Sequence, residues 1–328
     1  MTKSIELPQA ADILRGAEDI LLLCHRNPDG DTLGTAYGLY HMLRALGKRA
    51  RVQCSDPMPK LFQYLTEEIV FPDFTPTLIV AVDIASESLF GPGLEPYKGT
   101  VGLCIDHHPS NTGYAAHTCL HPEAAATAEI GAELAGLLGV LLTPEIADCL
   151  YTGLATDTGC FRYSNTTAHT LRTAAQLVEA GARLAEINRR VFETKTRGRI
   201  ALERKLLATI EYFAGGKGAL LCVTREMLRE SGATDSDLDA LSGLSRQIEG
   251  VEIGLLFKQR EDGKFKVSVR TNALYEADAI CARLGGGGHM RAAGCQLGSD
   301  YAQAKAQMLG AIDDYLASLD AAHNKDAV

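Results

Sequence analysis

Short apolar runs that end abruptly on aspartate and histidine constrain this chain more than anything else in it. The run "ILLLC" (20–24) leads straight into "HRNPDGD" (25–31), "TLIVAV" (77–82) into Asp83, and "VGLCI" (101–105) into Asp106, His107 and His108. Each run has the length of a buried strand and falls far short of the roughly 20 residues a membrane helix needs. Helical periods separate them at 32–46, 126–138, 144–155, 168–180 and 184–194, and 49–54 reads as a further strand. Strand alternating with helix predicts an α/β domain, a mainly parallel sheet with helices on both faces. Such sheets present their functional loops at the carboxyl ends of the strands, where the polar residues fall here.

Within the first loop, Pro28 and Gly30 shape a tight turn that can aim His25, Asp29 and Asp31 at one point. A plainer role for Asp29 or Asp31 is to cap the helix beginning near Thr32. Recurrence favours chemistry: Asp83, the trio Asp106, His107 and His108, and Asp157 in "GLATDTGCFRYSNTT" reach the same sheet edge from other segments. Carboxylates crowded in this way repel and are costly to desolvate unless cations neutralise them. An imidazole and carboxylate set without cysteine suits Mn²⁺ or Mg²⁺, with Zn²⁺, Co²⁺ or Fe²⁺ also admissible. His25, Asp29, Asp31, Asp83, His107 and Asp157 are too many for one ion with open positions. Two ions about 3.5 to 4 Å apart would use them all, the arrangement suited to in-line attack on phosphorus.

Beyond "RIALERKLLATIEYF" (199–213), read as a helix, "AGGKG" breaks the pattern, and a second, smaller α/β domain is expected. Its strands are expected at 219–224, 252–258 and 264–271, and its helices at 235–248, 276–284 and 301–319. The expected layout is a metal-binding domain at 1–195, a helical linker at 196–215, a recognition domain at 216–322 and a frayed tail at 323–328. The N-terminus has neither a basic start nor an apolar h-region, and nine cysteines without a CxxC pair mostly sit in apolar runs. A reducing cytoplasm is the expected location, with no membrane partner. A formal charge of -9 argues against a long nucleic-acid track, so any such partner should be short, with no long duplex.

The series "HRNPDGD", "VDIAS", "DHHPSN" and "GLATDTGCFRYSNTT", followed by "GGGGHMRAAG", resembles the DHH phosphoesterase family with its C-terminal DHHA1 domain, and more narrowly its nanoRNase/pAp phosphatase branch. The resemblance implies two Mn²⁺ ions, with Mg²⁺, Co²⁺ or Zn²⁺ as substitutes. It places His25 and Asp29 on one ion, Asp31, His107 and Asp157 on the other, and Asp83 as the bridge. His108 then faces the scissile phosphate, and Asp106 orients the histidine pair. Arg162, Arg270, the glycines Gly286, Gly287 and Gly288, His289 and Arg291 are the expected substrate contacts, in a cleft between the domains. The implied activity is hydrolysis of short RNA or DNA oligomers to mononucleotides and of 3'-phosphoadenosine 5'-phosphate (pAp) to AMP. Homodimerisation is implied by the resemblance alone. The alternatives are a cyclic-dinucleotide or linear dinucleotide (pApA or pGpG) phosphodiesterase, which needs the same metal site, and, more remotely, a catalytically silent nucleotide-binding protein.

Overall fold

The apolar runs do form strands, and their alternation sends neighbouring side chains to opposite faces of a sheet. The computed structural model describes residues 2–66, 69–239 and 241–326. Strands β1 (Lys3–Ser4), β2 (Asp19–Cys24), β3 (Arg49–Cys54), β4 (Leu78–Val82), β5 (Leu103–Asp106) and β6 (His117–Leu120) make one sheet in the order β1-β6-β5-β4-β2-β3. Every pairing in it is parallel. Ile20, Leu22 and Cys24 face one core, with helices α1 (Leu7–Gly16), α2 (Gly30–Ala45), α3 (Thr127–Leu138) and α4 (Pro144–Asp157). Leu21 and Leu23 face the other, against Phe90 and Leu94, which lie on and beside the short 3-10 helices Glu87–Leu89 and Pro92–Tyr97. Helices α5 (Ala168–Glu179) and α6 (Leu184–Asn188) pack against α4.

The chain divides into two compact units, Met1–Thr194 and Lys195–Val328. In the second, β7 (Glu211–Phe213), β8 (Gly218–Val223), β9 (Ile253–Gln259), β10 (Phe265–Thr271), β11 (Gly287–His289) and β12 (Ala292–Leu297) are ordered β11-β12-β10-β9-β8-β7. Only β8 and β9 pair in parallel. Its helices are α7 (Arg197–Leu207), α8 (Arg225–Ser231), α9 (Asp235–Asp239), α10 (Ala277–Ala282) and α11 (Tyr301–Asp326).

The structure departs from the sequence expectation in several places, three of them in the second unit as follows. The helix expected over 199–213 stops at Leu207, and residues 211–213 are strand β7. Leu202 and Leu206 of α7 pack against Leu221, Val223 and Leu256, so the segment expected as a linker contributes to the core of the second unit. The helix expected over 235–248 stops at Asp239, and a 3-10 turn follows at Ser245–Gln247. The "GGGG" run is half strand: Gly287 pairs with Gly294 and Gly288 with Ala293 in a β11-β12 hairpin.

Helices α2 and α4, which carry Asp31 and Asp157, meet backbone to backbone. A Cβ at Gly34 would lie 2.3 Å from the Cys149 carbonyl oxygen, and one at Gly153 would lie 2.8 Å from Asp31 Oδ1. No rotamer change relieves a clash with a backbone oxygen. Gly34→Ala therefore opposes two effects: a helix-propensity gain of up to about 1 kcal/mol and an overpacking cost of about 1–3 kcal/mol. The expected result is net destabilisation, read as a lower denaturant midpoint. A raised midpoint would show that the helices can separate cheaply.

Candidate metal centre

Each candidate ligand sits where an element ends. His25 follows β2, Asp29 caps α2, Asp31 lies in its first turn, Asp83 follows β4, His107 and His108 follow β5, and Asp157 is the last residue of α4. Asp29 does act as the helix cap, its Oδ1 accepting from the N–H of Asp31 at 3.0 Å and of Thr32 at 3.1 Å. The same oxygen lies 3.6 Å from His25 Nε2, so capping and clustering coexist. Asp83 adopts a left-handed backbone (φ 61°), a conformation that aspartate tolerates better than most residues. Its N–H donates to the Ile105 carbonyl (2.9 Å), and the Thr32 hydroxyl donates to the Val82 carbonyl beside it (2.8 Å).

These ends bring the donors into two groups that share Asp83. On one side, Asp83 Oδ2 lies 3.7 Å from His25 Nε2. On the other, Asp83 Oδ1 lies 3.7 Å from His107 Nε2, which is also 3.9 Å from Asp31 Oδ2 and 3.5 Å from Asp157 Oδ2. Within His25–Asp29–Asp83, and within Asp31–His107–Asp157, one donor atom per residue lies within 4.8 Å of the others. A further grouping joins Asp83, His107 and His108. Such separations are long for hydrogen bonds. They suit atoms sharing an ion, since donors about 2.0–2.4 Å from one cation stand roughly 3–4 Å apart.

Backbone carbonyls set the tautomers. His25 Nδ1 is 2.8 Å from the Arg26 carbonyl, and His107 Nδ1 is 3.1 Å from that of Ala124. A carbonyl only accepts, so each Nδ1 carries the proton, and in the neutral ring Nε2 presents its lone pair to the carboxylates. Asp106 is wired differently from expectation. Its Oδ1 accepts from His108 Nδ1 at 2.7 Å, but it meets His107 only through that residue's backbone N–H at 2.9 Å. The second oxygen accepts from Asn111 Nδ2 at 2.6 Å. Asp106 therefore orients the His108 ring, and the Ala124 carbonyl orients that of His107.

The electrostatics carry the signature of excess negative charge. Burial, and then the carboxylates of Asp31, Asp29, Asp157 and Asp106, hold the Asp83 carboxyl well above its usual range. Burial and the charges of Asp31 and Asp29 push Asp157 up to about 8. Burial likewise raises Asp31, against the pull of His107. Burial disfavours charging His108, yet its bond to Asp106 together with the charges of Asp106, Asp157 and Asp31 outweighs that and raises its pKa, while the bonds and charge of His108 and the bond from Asn111 hold Asp106 low against its own burial. Divalent cations are the charge complement such a donor set lacks.

The other expected site residues are placed as follows. Arg162 is exposed, with Nε donating to the Gly159 carbonyl at 2.6 Å. Arg270, on β10, donates from Nη1 to its neighbour's carbonyl, that of Val269, at 3.0 Å. Arg291 donates from Nη1 to the carbonyls of Asn272 (2.9 Å) and Tyr275 (2.6 Å), bracing that turn. A Cβ on Gly286 would lie 2.4 Å from the Gly294 carbonyl oxygen, and one on Gly288 2.6 Å from that of Ala292, so hairpin packing alone already requires both glycines. His289 pairs with Ala292 through the strand, and its side chain lies outside the described residues. Sequence reasoning missed Thr127, whose hydroxyl donates to Asp83 Oδ1 (2.8 Å), and Asn165, whose Nδ2 donates to the carbonyls of Ala125 and Asp157. Neither stands at a strand end. Asn165 does lie inside a quoted motif, whereas "AAATAEIG" offers no polar cluster to notice.

A parallel sheet whose strand ends gather carboxylates and imidazoles around a shared aspartate defines an α/β protein with a candidate two-group site for divalent cations. The chain belongs to the DHH family: residues 19–154 match the DHH family, N-terminal domain, and residues 216–318 match the DHHA1 domain. It is 38% identical over 314 residues, 93% of each chain, to the bifunctional oligoribonuclease and PAP phosphatase NrnA of Thermus thermophilus. Against the protein of the same description from Bacillus subtilis it is 26% identical over 285 residues, covering 85% of this chain and 90% of that one. Its fold matches that of an exopolyphosphatase-related protein from Bacteroides fragilis with a TM-score of 0.88 at 22% identity, covering 96% and 97% of the two chains. No helix among the described residues is long and apolar enough to cross a membrane.

Proposed function

We propose that this protein is a cytoplasmic, Mn²⁺-dependent phosphoesterase that hydrolyses short oligonucleotides to mononucleotides and pAp to AMP. Chemistry lies in residues 1–195 and substrate recognition in residues 216–322. The observation that carries the metal reading is the shared carboxylate, with Asp83 Oδ2 facing His25 and Oδ1 facing His107 at the same 3.7 Å. In this reading His25 and Asp29 would hold one cation and Asp31, His107 and Asp157 the other, with Asp83 shared between the two groups. When bound, the cations ease deprotonation of the attacking water and offset charge on the phosphate.

The chain's own groups do the rest. Asp106 accepts from His108 Nδ1 and with its neighbouring carboxylates favours the imidazolium, the form in which Nε2 also carries a proton and can direct it at a phosphoryl oxygen to stabilise charge developing in the transition state. Arg162, Arg270, His289 and the amides of Gly286, Gly287 and Gly288 contact substrate phosphate or base. Arg291, with Nη1 committed to the turn, does so through its remaining nitrogens. The relatives' printed activities, oligoribonuclease and PAP phosphatase, support this choice of substrate.

A side-by-side kinetic panel with Mn²⁺ tests the reading, using pAp, RNAs of two to five nucleotides, and cyclic dinucleotides. Turnover of pAp and short RNA well above that of the cyclic compounds is expected. Turnover confined to cyclic or linear dinucleotides would overturn the assignment and favour the dinucleotide phosphodiesterase.

A further inference from the structure

One helix terminus holds both central carboxylates. Helix α3 begins at Thr127 behind Ala126, an N-cap residue whose side chain makes no capping bond. The first N–H groups of a helix need partners from elsewhere. Here Asp31, on α2, supplies them: Thr127 N–H donates to its Oδ2 at 2.7 Å and Ala128 N–H to its Oδ1 at 2.9 Å. Thr35 adds a hydroxyl donor to Oδ1 at 3.2 Å. The positive end of α3 thereby steadies an anion that burial would otherwise protonate.

Thr127 then reaches the second carboxylate. Its side chain is fully buried, and its hydroxyl donates to Asp83 Oδ1 at 2.8 Å. That oxygen is the one facing His107. A carboxylate attached through a single Cβ–Cγ bond can rotate, and a rotated Asp83 would no longer offer one oxygen to each group. A hydroxyl fixed by a helix backbone removes that freedom, and it occupies one lone pair of Oδ1 while leaving another for an ion. Partners of this kind orient ligands without touching the metal.

We propose that Thr127 is a positioning residue that locks the Asp83 carboxylate in the orientation able to serve two cations. This rests on the metal reading above. A purely structural role predicts otherwise, because Thr127→Val keeps the shape and loses only the hydroxyl.

The test uses the full chain, stripped of cations and titrated with Mn²⁺ by calorimetry, for the parent, Thr127→Val and Thr127→Ser. The metal-free melting temperature and steady-state kcat and KM on pAp at saturating Mn²⁺ are measured alongside. The valine variant should bind Mn²⁺ about 10- to 100-fold more weakly and lose kcat, with KM and the metal-free melting temperature close to the parent's. Serine, which keeps the hydroxyl, should restore affinity and kcat. Thr127→Ala replaces the valine variant if that does not fold. Valine binding Mn²⁺ as tightly as the parent, or serine doing no better than valine, overturns the role of Thr127 alone. A parent that takes up no divalent cation removes the metal reading and this role with it.

Discussion

Asp83→Asn is expected to lower kcat by about three orders of magnitude or more, since the change removes several kcal/mol of metal-assisted stabilisation and each 1.36 kcal/mol is a factor of ten. Asparagine is the informative replacement. It tolerates the left-handed backbone (φ 61°) at this position, where alanine would add strain of its own. It also keeps a carbonyl oxygen able to accept from the Thr127 hydroxyl. What it loses is charge. In the metal-free chain that loss is a gain, because Asp83 is 3% exposed and its pKa is raised by burial and by four other carboxylates. The stripped variant should therefore melt no lower than the stripped parent, while its Mn²⁺ affinity falls sharply. Activity within about tenfold of the parent, a difference of only 1.4 kcal/mol, would reject a shared catalytic carboxylate.

What was legible in the sequence, and what was not, follows from the range of the interactions involved. The runs at 20–24 and 77–82 are β2 and β4 to within a residue, because a strand buried on both faces needs an unbroken apolar stretch, whereas 49–54, β3, lies at the sheet edge and shows the alternation of a half-buried strand. The polar ends stood out for the converse reason: His25, Asp29, Asp83 and Asp106 interrupt apolar segments where nothing but a site or a cap would place them. Strands β1 and β6 escaped notice. Lys3–Ser4 and His117–Leu120 are short and partly polar, and only pairing with distant chain makes them strands. The wiring of the site was illegible in the same sense. Thr127 meets Asp83 across 44 positions, and Asn165 meets Ala125 across 40. His107 takes its orientation from a backbone carbonyl that any residue could supply. The glycine run read as a phosphate loop, yet Gly286 and Gly288 are also demanded by a tight hairpin. A pattern of glycines does not separate those two requirements.

Chelation is expected to abolish hydrolysis and to lower the melting temperature, and Mn²⁺ to restore both, with a larger thermal gain near pH 8 than near pH 6. The size follows from linkage: a cation at about 100 times its dissociation constant contributes about 2.7 kcal/mol. That corresponds to roughly 5–10 °C at about 2–4 °C per kcal/mol for a domain of 150–250 residues. The pH dependence follows from the carboxyls. Asp31, Asp83 and Asp157 have raised pKa values in the metal-free fold, reaching about 8 for Asp157. A carboxyl raised in this way contributes its full stability below its unfolded value, about 3.9. That contribution is lost as the pH climbs through the folded value. The stripped site is thus less favourable near pH 8 than near pH 6, because Asp157 is driven to ionise there beside the other carboxylates. A cation acts in the opposite sense, because it needs those same groups deprotonated and binds better as they become so. Comparing melting temperatures with and without Mn²⁺ at each pH cancels the titration of the rest of the chain. Full activity in chelator would remove the metal from the mechanism, and a thermal gain that shrinks toward pH 8 would mean that Mn²⁺ binds somewhere other than among these aspartates.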